Sequence, residues 1–385
     1  MRKAGRHFLQ IPGPSAVPDR ILQAISRQTI DHRGPDFAEV GRTALEGMKR
    51  IFKTESSVII YPSSGTGAWE AALVNTLSPG DKVLMYETGH FAATWSSLAK
   101  KIGLDAEVIG GDWRAGADPD LICERLKQDS GHEIRAVCVV HNETSTGSVS
   151  PIAEIRKAID EANHPALFLV DTISGLASID LCFDAWGIDV CIAGSQKGLM
   201  LPPGLSFNAI SEKALAAHKS ASLQRSYWDW SDMLGPNSKG FFPYTPATNL
   251  LYGLNEAIEM LEEEGLDNVF ARHARHGAAT RSAVKTWGLD VLCARQGQES
   301  GVLTAVVMPD GHSADAFRNT ALQSFDISLG NGLSKVADRV FRIGHLGDFN
   351  DLMLSATLAG VEMSLARAGV PHNEGGVQTA MNQLK

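Results

Sequence analysis

Along the first half of the chain, short apolar runs rich in Val and Ile alternate with stretches in which apolar residues return every third or fourth position. The runs read as strands buried on both faces and the periodic stretches as helices laid over them, which predicts an α/β unit with a mostly parallel sheet. Strands are expected at Ser57–Tyr61, Lys82–Tyr86, Ile134–Val140, Ala166–Val170 and Val190–Ala193. A helix is expected over Ala68–Leu77, stopped by Ser78-Pro79-Gly80, and another over Ile152–Ala162, introduced by Ser150-Pro151. From Asn249 to Glu264 a long periodic stretch ends in an acidic run and Gly265, and reads as a helix linking two domains. Beyond it, strands such as Val302–Met308 and Arg339–Ile343 mix with helices, the pattern of a smaller α+β domain.

Length and composition narrow this picture. The chain has 385 residues, more than one compact core accommodates, and 44% apolar with 21% charged residues is the balance of a folded globular protein. A formal net charge of −9 argues against binding a phosphate backbone, which needs clustered Lys and Arg, so no nucleic acid is expected. No stretch approaches a membrane span, and the opening Met-Arg-Lys-Ala-Gly-Arg lacks the apolar segment of a secretory signal. Cys123, Cys138, Cys182, Cys191 and Cys293 form no C-x-x-C pair and sit mostly among aliphatic residues. They read as buried free thiols of a reducing compartment, and the chain as cytoplasmic, with no membrane contact and no metal.

In an open α/β sheet ligands bind beyond the carboxyl ends of the parallel strands, so chemistry is sought just past each expected strand. After Ser57–Tyr61 comes Pro62-Ser63-Ser64-Gly65-Thr66-Gly67 and a helix, where free backbone N–H groups and the helix dipole suit a phosphate. Alone, this turn is equally compatible with a dinucleotide or a mere connection, although the third glycine of a dinucleotide fingerprint is missing. After Ile134–Val140 comes His141-Asn142-Glu143-Thr144-Ser145-Thr146-Gly147. After Ala166–Val170 comes Asp171, which either caps the next turn or meets a positive partner such as a protonated ring nitrogen. After Val190–Ala193 comes Gly194-Ser195-Gln196-Lys197-Gly198, whose lysine either snorkels to solvent or is desolvated into a nucleophilic amine. The interval from Asp171 to Lys197 is that of one strand, crossover and strand, which brings both to one sheet edge. A phosphate anchor, a carboxylate for a ring nitrogen and an amine for an aldehyde are together what pyridoxal phosphate (PLP) chemistry requires.

With these residues in view, the chain resembles the class V family of fold-type I PLP enzymes, and within it the alanine–glyoxylate and serine–glyoxylate aminotransferases. The likeness runs through Ile11-Pro12-Gly13-Pro14-Ser15, Ser63-Ser64-Gly65-Thr66-Gly67, Asn142-Glu143-Thr144-Ser145-Thr146-Gly147 and Gly194-Ser195-Gln196-Lys197-Gly198. It continues through Phe242-Pro243-Tyr244-Thr245-Pro246 and Phe341-Arg342-Ile343-Gly344-His345-Leu346-Gly347. The resemblance implies a large domain with a mostly parallel sheet of the seven-stranded type and a smaller C-terminal α+β domain. The implied division is 1–20 as a segment lining the active site, 21–255 as the PLP-binding domain and 256–385 as the small domain. It implies that Lys197 holds PLP as a Schiff base and then carries the proton between substrate and cofactor, that Asp171 pairs with the pyridinium nitrogen, and that Thr144 stands near the ring oxygen. Ser64, Gly65, Thr66 and Gln196 fall on phosphate-binding positions, and Thr245 on a phosphate ligand reaching in from the second subunit of a homodimer. Arg342 matches the arginine that grips the substrate carboxylate, a role suited to its planar fork, while an Arg inside a strand is also compatible with a structural ion pair. Gly13 belongs to a Pro12-Gly13-Pro14 loop expected to close over the substrate. Phe91 replaces the Trp that the animal enzymes stack on the ring, and Phe242 stands where they have a phosphate-binding Tyr, with Tyr244 an unaligned substitute.

The implied reaction moves an amino group from a small L-amino acid to glyoxylate, giving glycine and a 2-oxo acid. Ile-Pro-Gly-Pro, Asp31-His32-Arg33 and the Phe-Pro-Tyr-Thr-Pro block look more like the serine-using members, so L-serine, giving hydroxypyruvate, is the expected donor, with alanine or aspartate as alternatives. A cysteine desulfurase shares the fold but needs a nucleophilic Cys on a mobile loop of the small domain, and the apolar surroundings of Cys293 predict burial and inertness instead. A nicotinamide-dependent dehydrogenase or a non-catalytic ligand binder leaves Lys197, Asp171 and Arg342 unexplained. His273 and His276, in Ala-Arg-His-Ala-Arg-His, read as a solvated face rather than a metal pair; Tyr227-Trp228-Asp229-Trp230 reads as packing, with the substrate entrance or a dimer contact as alternatives, and is left out of the site.

Overall fold

The computed structural model describes residues 5–385; residues 1–4 of the expected N-terminal segment lie outside the described residues. Its strands follow in chain order as β1 (Phe8–Gln10), β2 (Ser57–Tyr61), β3 (Lys82–Glu87), β4 (Asp105–Gly110), β5 (Ile134–Val140), β6 (Asn142–Glu143), β7 (Ser148–Val149), β8 (Leu167–Asp171), β9 (Val190–Gly194), β10 (Ser206–Ile210), β11 (Asp290–Val291), β12 (Leu303–Val307), β13 (Ile327–Asn331) and β14 (Val340–Gly344). Seven of them build the large sheet in the order β2-β10-β9-β8-β5-β3-β4, with parallel pairing from β9 to β4. β10 runs antiparallel to both of its neighbours. The cause is connection length: residues 195–205 leave no room for a crossover helix, so the chain turns straight back beside β9. Lys197 rides on that return.

Each expected strand is present within one residue of its sequence limits. β4 and β10 have no counterpart among them. β4 is a sheet edge with Asp105, Val108 and Gly110 exposed, so it shows no continuous apolar run. In β10 the run is broken by Asn208, which is fully buried yet satisfied, accepting from the Tyr61 hydroxyl and donating to the carbonyl of Ala68. Helices Pro35–Phe52, Pro119–Gln128, Ile152–Glu161 and Thr248–Glu264 cover one face of the sheet, and Gly65–Thr76, His90–Lys101 and Trp230–Asn237 the other.

The second sheet, β1-β13-β14-β12-β11, carries helices Leu266–Thr286, Ala314–Phe325, Asp351–Arg367 and Gly376–Leu384 around its own core. β1 pairs in parallel with β13, Phe8 opposite Ile327, so the N-terminal strand is built into the C-terminal sheet. The Thr248–Glu264 helix passes unbroken through position 255, with Leu251, Leu254, Ala257, Ile258 and Leu261 packed in the core of the larger unit. No helix among the described residues is long and apolar enough to cross a membrane.

Two expectations are corrected here. His273 and His276 are buried, not solvated, at 1% and 0% exposure. On a helix the two His share one strip and Arg272 and Arg275 the neighbouring one, so the arginines reach out to Glu264 and Asp351 while the His strip turns inward. His273 Nε2 accepts the N–H of Gly347, and His276 Nε2 lies 2.8 Å from Asp351. Of the five free thiols, Cys182 is only partly buried, because it lies beside Asp180 and Lys53 at the surface.

Candidate active site

β9, β8 and β5 end side by side at the middle of the large sheet, and the residues beyond them border a cleft of about 510 Å³ that is open to solvent. Ser64, Gly65, Thr66, Phe91, Thr144, Asp171, Gln196 and Lys197, all singled out in the sequence, line it together. Lys197 is 8% exposed. Its loop is tied down by Ser195, whose N–H donates to Leu205 O and whose Oγ donates to Pro202 O and accepts from Leu205 N. From the other side Ser15 donates to the carbonyls of Gln196 and Lys197, and Lys197 Nζ donates to Pro12 O at 2.5 Å. Gly13, at φ +106°, lies against the amine: a Cβ there would come within 2.4 Å of Nζ. Burial, helped by the charge of Arg342 and opposed by that of Asp171, holds the Lys197 amine down at about 8, so a useful fraction is neutral and nucleophilic near neutrality.

Asp171 closes β8, and the structure shows its capping role directly. Its Oδ1 accepts the N–H of Ile173 at 2.7 Å, which caps the turn, and its Oδ2 accepts the indole N–H of Trp69 at 3.0 Å inside the cleft. Burial pushes its carboxyl up to about 7, aided by nearby Glu143 and opposed by the Ile173 and Trp69 hydrogen bonds and by Lys197. An acceptor this close to balance is completed by a cationic N–H.

The Gly65–Thr76 helix starts earlier than expected, so Gly65 and Thr66 form its first turn, and no side chain caps that end. Their amides are the orphan donors that attract a phosphate. Beside them the carboxamide oxygens of Gln196 and Asn142 are buried without a partner. Thr245 is exposed and does not line the cleft of its own chain. Tyr244 is no free substitute for a phosphate ligand, since its hydroxyl donates to Ile60 O and its ring stacks on Tyr227.

Phe91 and Ile173 present apolar faces suited to a flat ring. Phe91 is placed by Glu143, a fully buried carboxylate that accepts the N–H groups of Phe91 and Ala92 at the start of the His90–Lys101 helix and is bonded by Ser145. Gly89 makes this approach feasible, because a Cβ there would lie 2.4 Å from Glu143 Cγ. Thr144 donates through Oγ1 to Ser174 Oγ, and its carbonyl accepts from Arg342 Nη1 at 2.8 Å. Arg342 also donates from Nε to Asn331 O, forms no salt bridge among the described residues, and thus keeps three of its five N–H groups for a ligand. Its reading as a structural ion pair falls away.

Trp69, Ile173, Asn142, Ser174 and Glu143 were not singled out as site residues. Trp69 and Ile173 looked like ordinary apolar positions of a helix and a turn. Asn142 and Glu143 stood inside a polar strand-end block already on view, and Ser174 follows Asp171 by three residues; polar type just past a buried strand was the available signal.

An amine and a carboxylate at adjacent strand ends, uncapped amides at a helix start and two apolar walls fit PLP, and they define a cofactor-dependent enzyme of the α/β type. Comparison with known proteins carries this further. The family model for class V aminotransferases matches residues 7–344. The chain is 47% identical to a serine–glyoxylate aminotransferase of Methylorubrum extorquens, covering 100% of this chain and 97% of that one. It is 43% identical to an L-aspartate–glyoxylate aminotransferase of Paracoccus denitrificans, over 97% and 95%. The crystal structure of ureidoglycine–glyoxylate aminotransferase from Bacillus subtilis superposes with a TM-score of 0.92 at 26% identity, covering 99% of both chains. The chain belongs to the class V aminotransferase family and is a PLP-dependent transaminase.

Proposed function

We propose that the chain transfers the amino group of L-serine to glyoxylate, giving hydroxypyruvate and glycine, as a cytoplasmic homodimer in which Thr245 completes the partner's phosphate site. The observation that carries this reading is the buried Lys197 amine, in one cleft with Asp171 and near enough to Arg342 to feel its charge. When bound there, PLP supplies an aldehyde for an amine and a ring that accepts electrons. Lys197, kept partly neutral by burial, would be the amine that holds it and could also carry the proton taken from the substrate. Asp171 accepts the ring N–H, Gly65, Thr66 and Ser64 hold the phosphate, and Arg342 orients the carboxylate shared by donor and acceptor. Gly13 and Pro12 roof the lysine and exclude water.

Serine is favoured over aspartate by charge. Lys197 is the one cation among the described residues lining the cleft, and Arg342 serves the carboxylate that every donor has, so a second carboxylate finds no further cation among those lining residues. The likeness to the serine-named relative supports the same choice. The test is a half-reaction screen: the PLP form is mixed with single amino acids and its visible band followed, then the pyridoxamine form with glyoxylate, pyruvate and oxaloacetate. Fastest bleaching by L-serine and fastest recovery with glyoxylate are expected. Faster bleaching by aspartate or alanine would reassign the donor.

A further inference from the structure

The acid that faces the cofactor nitrogen has a neighbour whose part in the site is unassigned. Trp69 lies on the Gly65–Thr76 helix, 2% exposed, with its ring stacked on Trp95 at 5.8 Å and an interplanar angle of 13°. Trp95 is fully buried on the His90–Lys101 helix, so the indole is clamped between two helices. Its N–H meets Asp171 Oδ2 at 3.0 Å, while Oδ1 is taken by the Ile173 amide. An indole N–H donates and never accepts, so this contact favours the carboxylate over the carboxylic acid. Carboxylate torsions are otherwise broad, and two rigid donors on two different oxygens fix the plane of the group. Each oxygen keeps a lone pair, which leaves room for a ligand N–H.

We propose that Trp69 is a positioning residue: its indole N–H holds the Asp171 carboxylate ionised and in plane so that it accepts the ring N–H of the cofactor. This rests on the reading of Asp171 given above. Trp69 thereby acts on the cofactor through a group it does not share with the substrate, and Arg342 is untouched by its loss.

The experiment measures PLP affinity by equilibrium dialysis, with kcat and KM alongside, for Trp69→Phe, Asp171→Asn and the double variant. Trp69→Phe should weaken PLP binding on the order of tenfold, the usual worth of a hydrogen bond to a charged group, and lower kcat with KM for the amino acid little changed. In the Asp171→Asn background the same change should add almost nothing. A loss of equal size in that background would make Trp69 a packing residue and overturn the proposal, as would a Trp69→Phe protein that binds PLP like the parent. Asp171→Asn that binds and turns over normally would instead overturn the reading of Asp171. Should Trp69→Phe fold poorly, benzothienylalanine placed at position 69 keeps the bicyclic ring and removes only the N–H. It should reproduce the tenfold loss, and parental affinity there would refute the proposal.

Discussion

Besides burial, three neighbours give Lys197 its behaviour: Gly13 by having no side chain, Pro12 by offering its backbone carbonyl, and Arg342 by its charge. Lys197→Ala is expected to abolish turnover while PLP still binds, with no linkage left for borohydride to reduce; appreciable activity would move the amine elsewhere. Gly13→Ala would force a methyl against the amine at a backbone angle unfavourable to any side chain, and should lower kcat about 100-fold by displacing the lysine. For Arg342→Lys, single-point charge replaces a fork that also binds the carbonyls of Thr144 and Asn331. Its dissociation constants for amino and keto acids should both rise by roughly two orders of magnitude, read from the half-reactions. Lys197 and Asp171 were legible because a charge after an apolar strand is costly without a function, whereas Arg342, inside a strand, was picked out only by the family resemblance. Trp69 was not, since its apolar ring satisfied the helix pattern and only its N–H enters the site.

Among the elements, the His90–Lys101 helix shows how a buried acid can serve structure. Glu143, with its carboxyl raised by burial, takes the place that an N-capping residue would hold, and so sets where Phe91 points. Glu143→Gln replaces one acceptor with a donor facing backbone N–H groups, and should cost about 1–3 kcal/mol in urea denaturation while loosening PLP binding. Unaltered stability would mean that the helix start needs no acceptor. Five strands of the large sheet, β2, β3, β5, β8 and β9, could be read from continuous apolar runs because they are covered on both faces. β4, half exposed, and β10, with a buried Asn, carry no such run, and the antiparallel direction of β10 follows from a loop length that only a known β10 reveals. The inward strip of His273 and His276 was hidden by the arginines next to them.

Across the whole molecule, buried neutral histidines couple the fold to pH. Burial holds His141 down to about 4 and His273 to about 3, and His345 well below its ordinary value. In the unfolded chain these rings take a proton below about pH 6.5, so the unfolded state binds more protons and stability falls as pH falls from about 6.5 toward 4. Asp171 and Glu143, both raised, act in the opposite sense but are fewer. The PLP-loaded protein should therefore melt at a lower temperature at pH 5 than at pH 7, each buried histidine contributing about 1.4 kcal/mol per pH unit; equal Tm values would place the rings in contact with water. Subunit mixing tests the proposed homodimer. Lys197→Ala chains and Thr245→Val chains, each impaired alone, should regain activity when combined, because one site of each hybrid dimer then has both residues intact. No recovery on proven mixing would assign Thr245 to its own chain or to no site.

The pairing of Phe8 with Ile327 sets a timetable as well as a shape. β1 leaves the ribosome well before β13 and waits for it until more than three hundred further residues have been made, roughly 15–60 s at ~5–20 residues per second. Until then the stretch that leads on to Pro12 and Gly13 has no sheet to anchor it, and the pocket of Lys197 stands open to water. The cover of Lys197 is thus completed late, by a segment made early, and chains stopped before β13 should lack it.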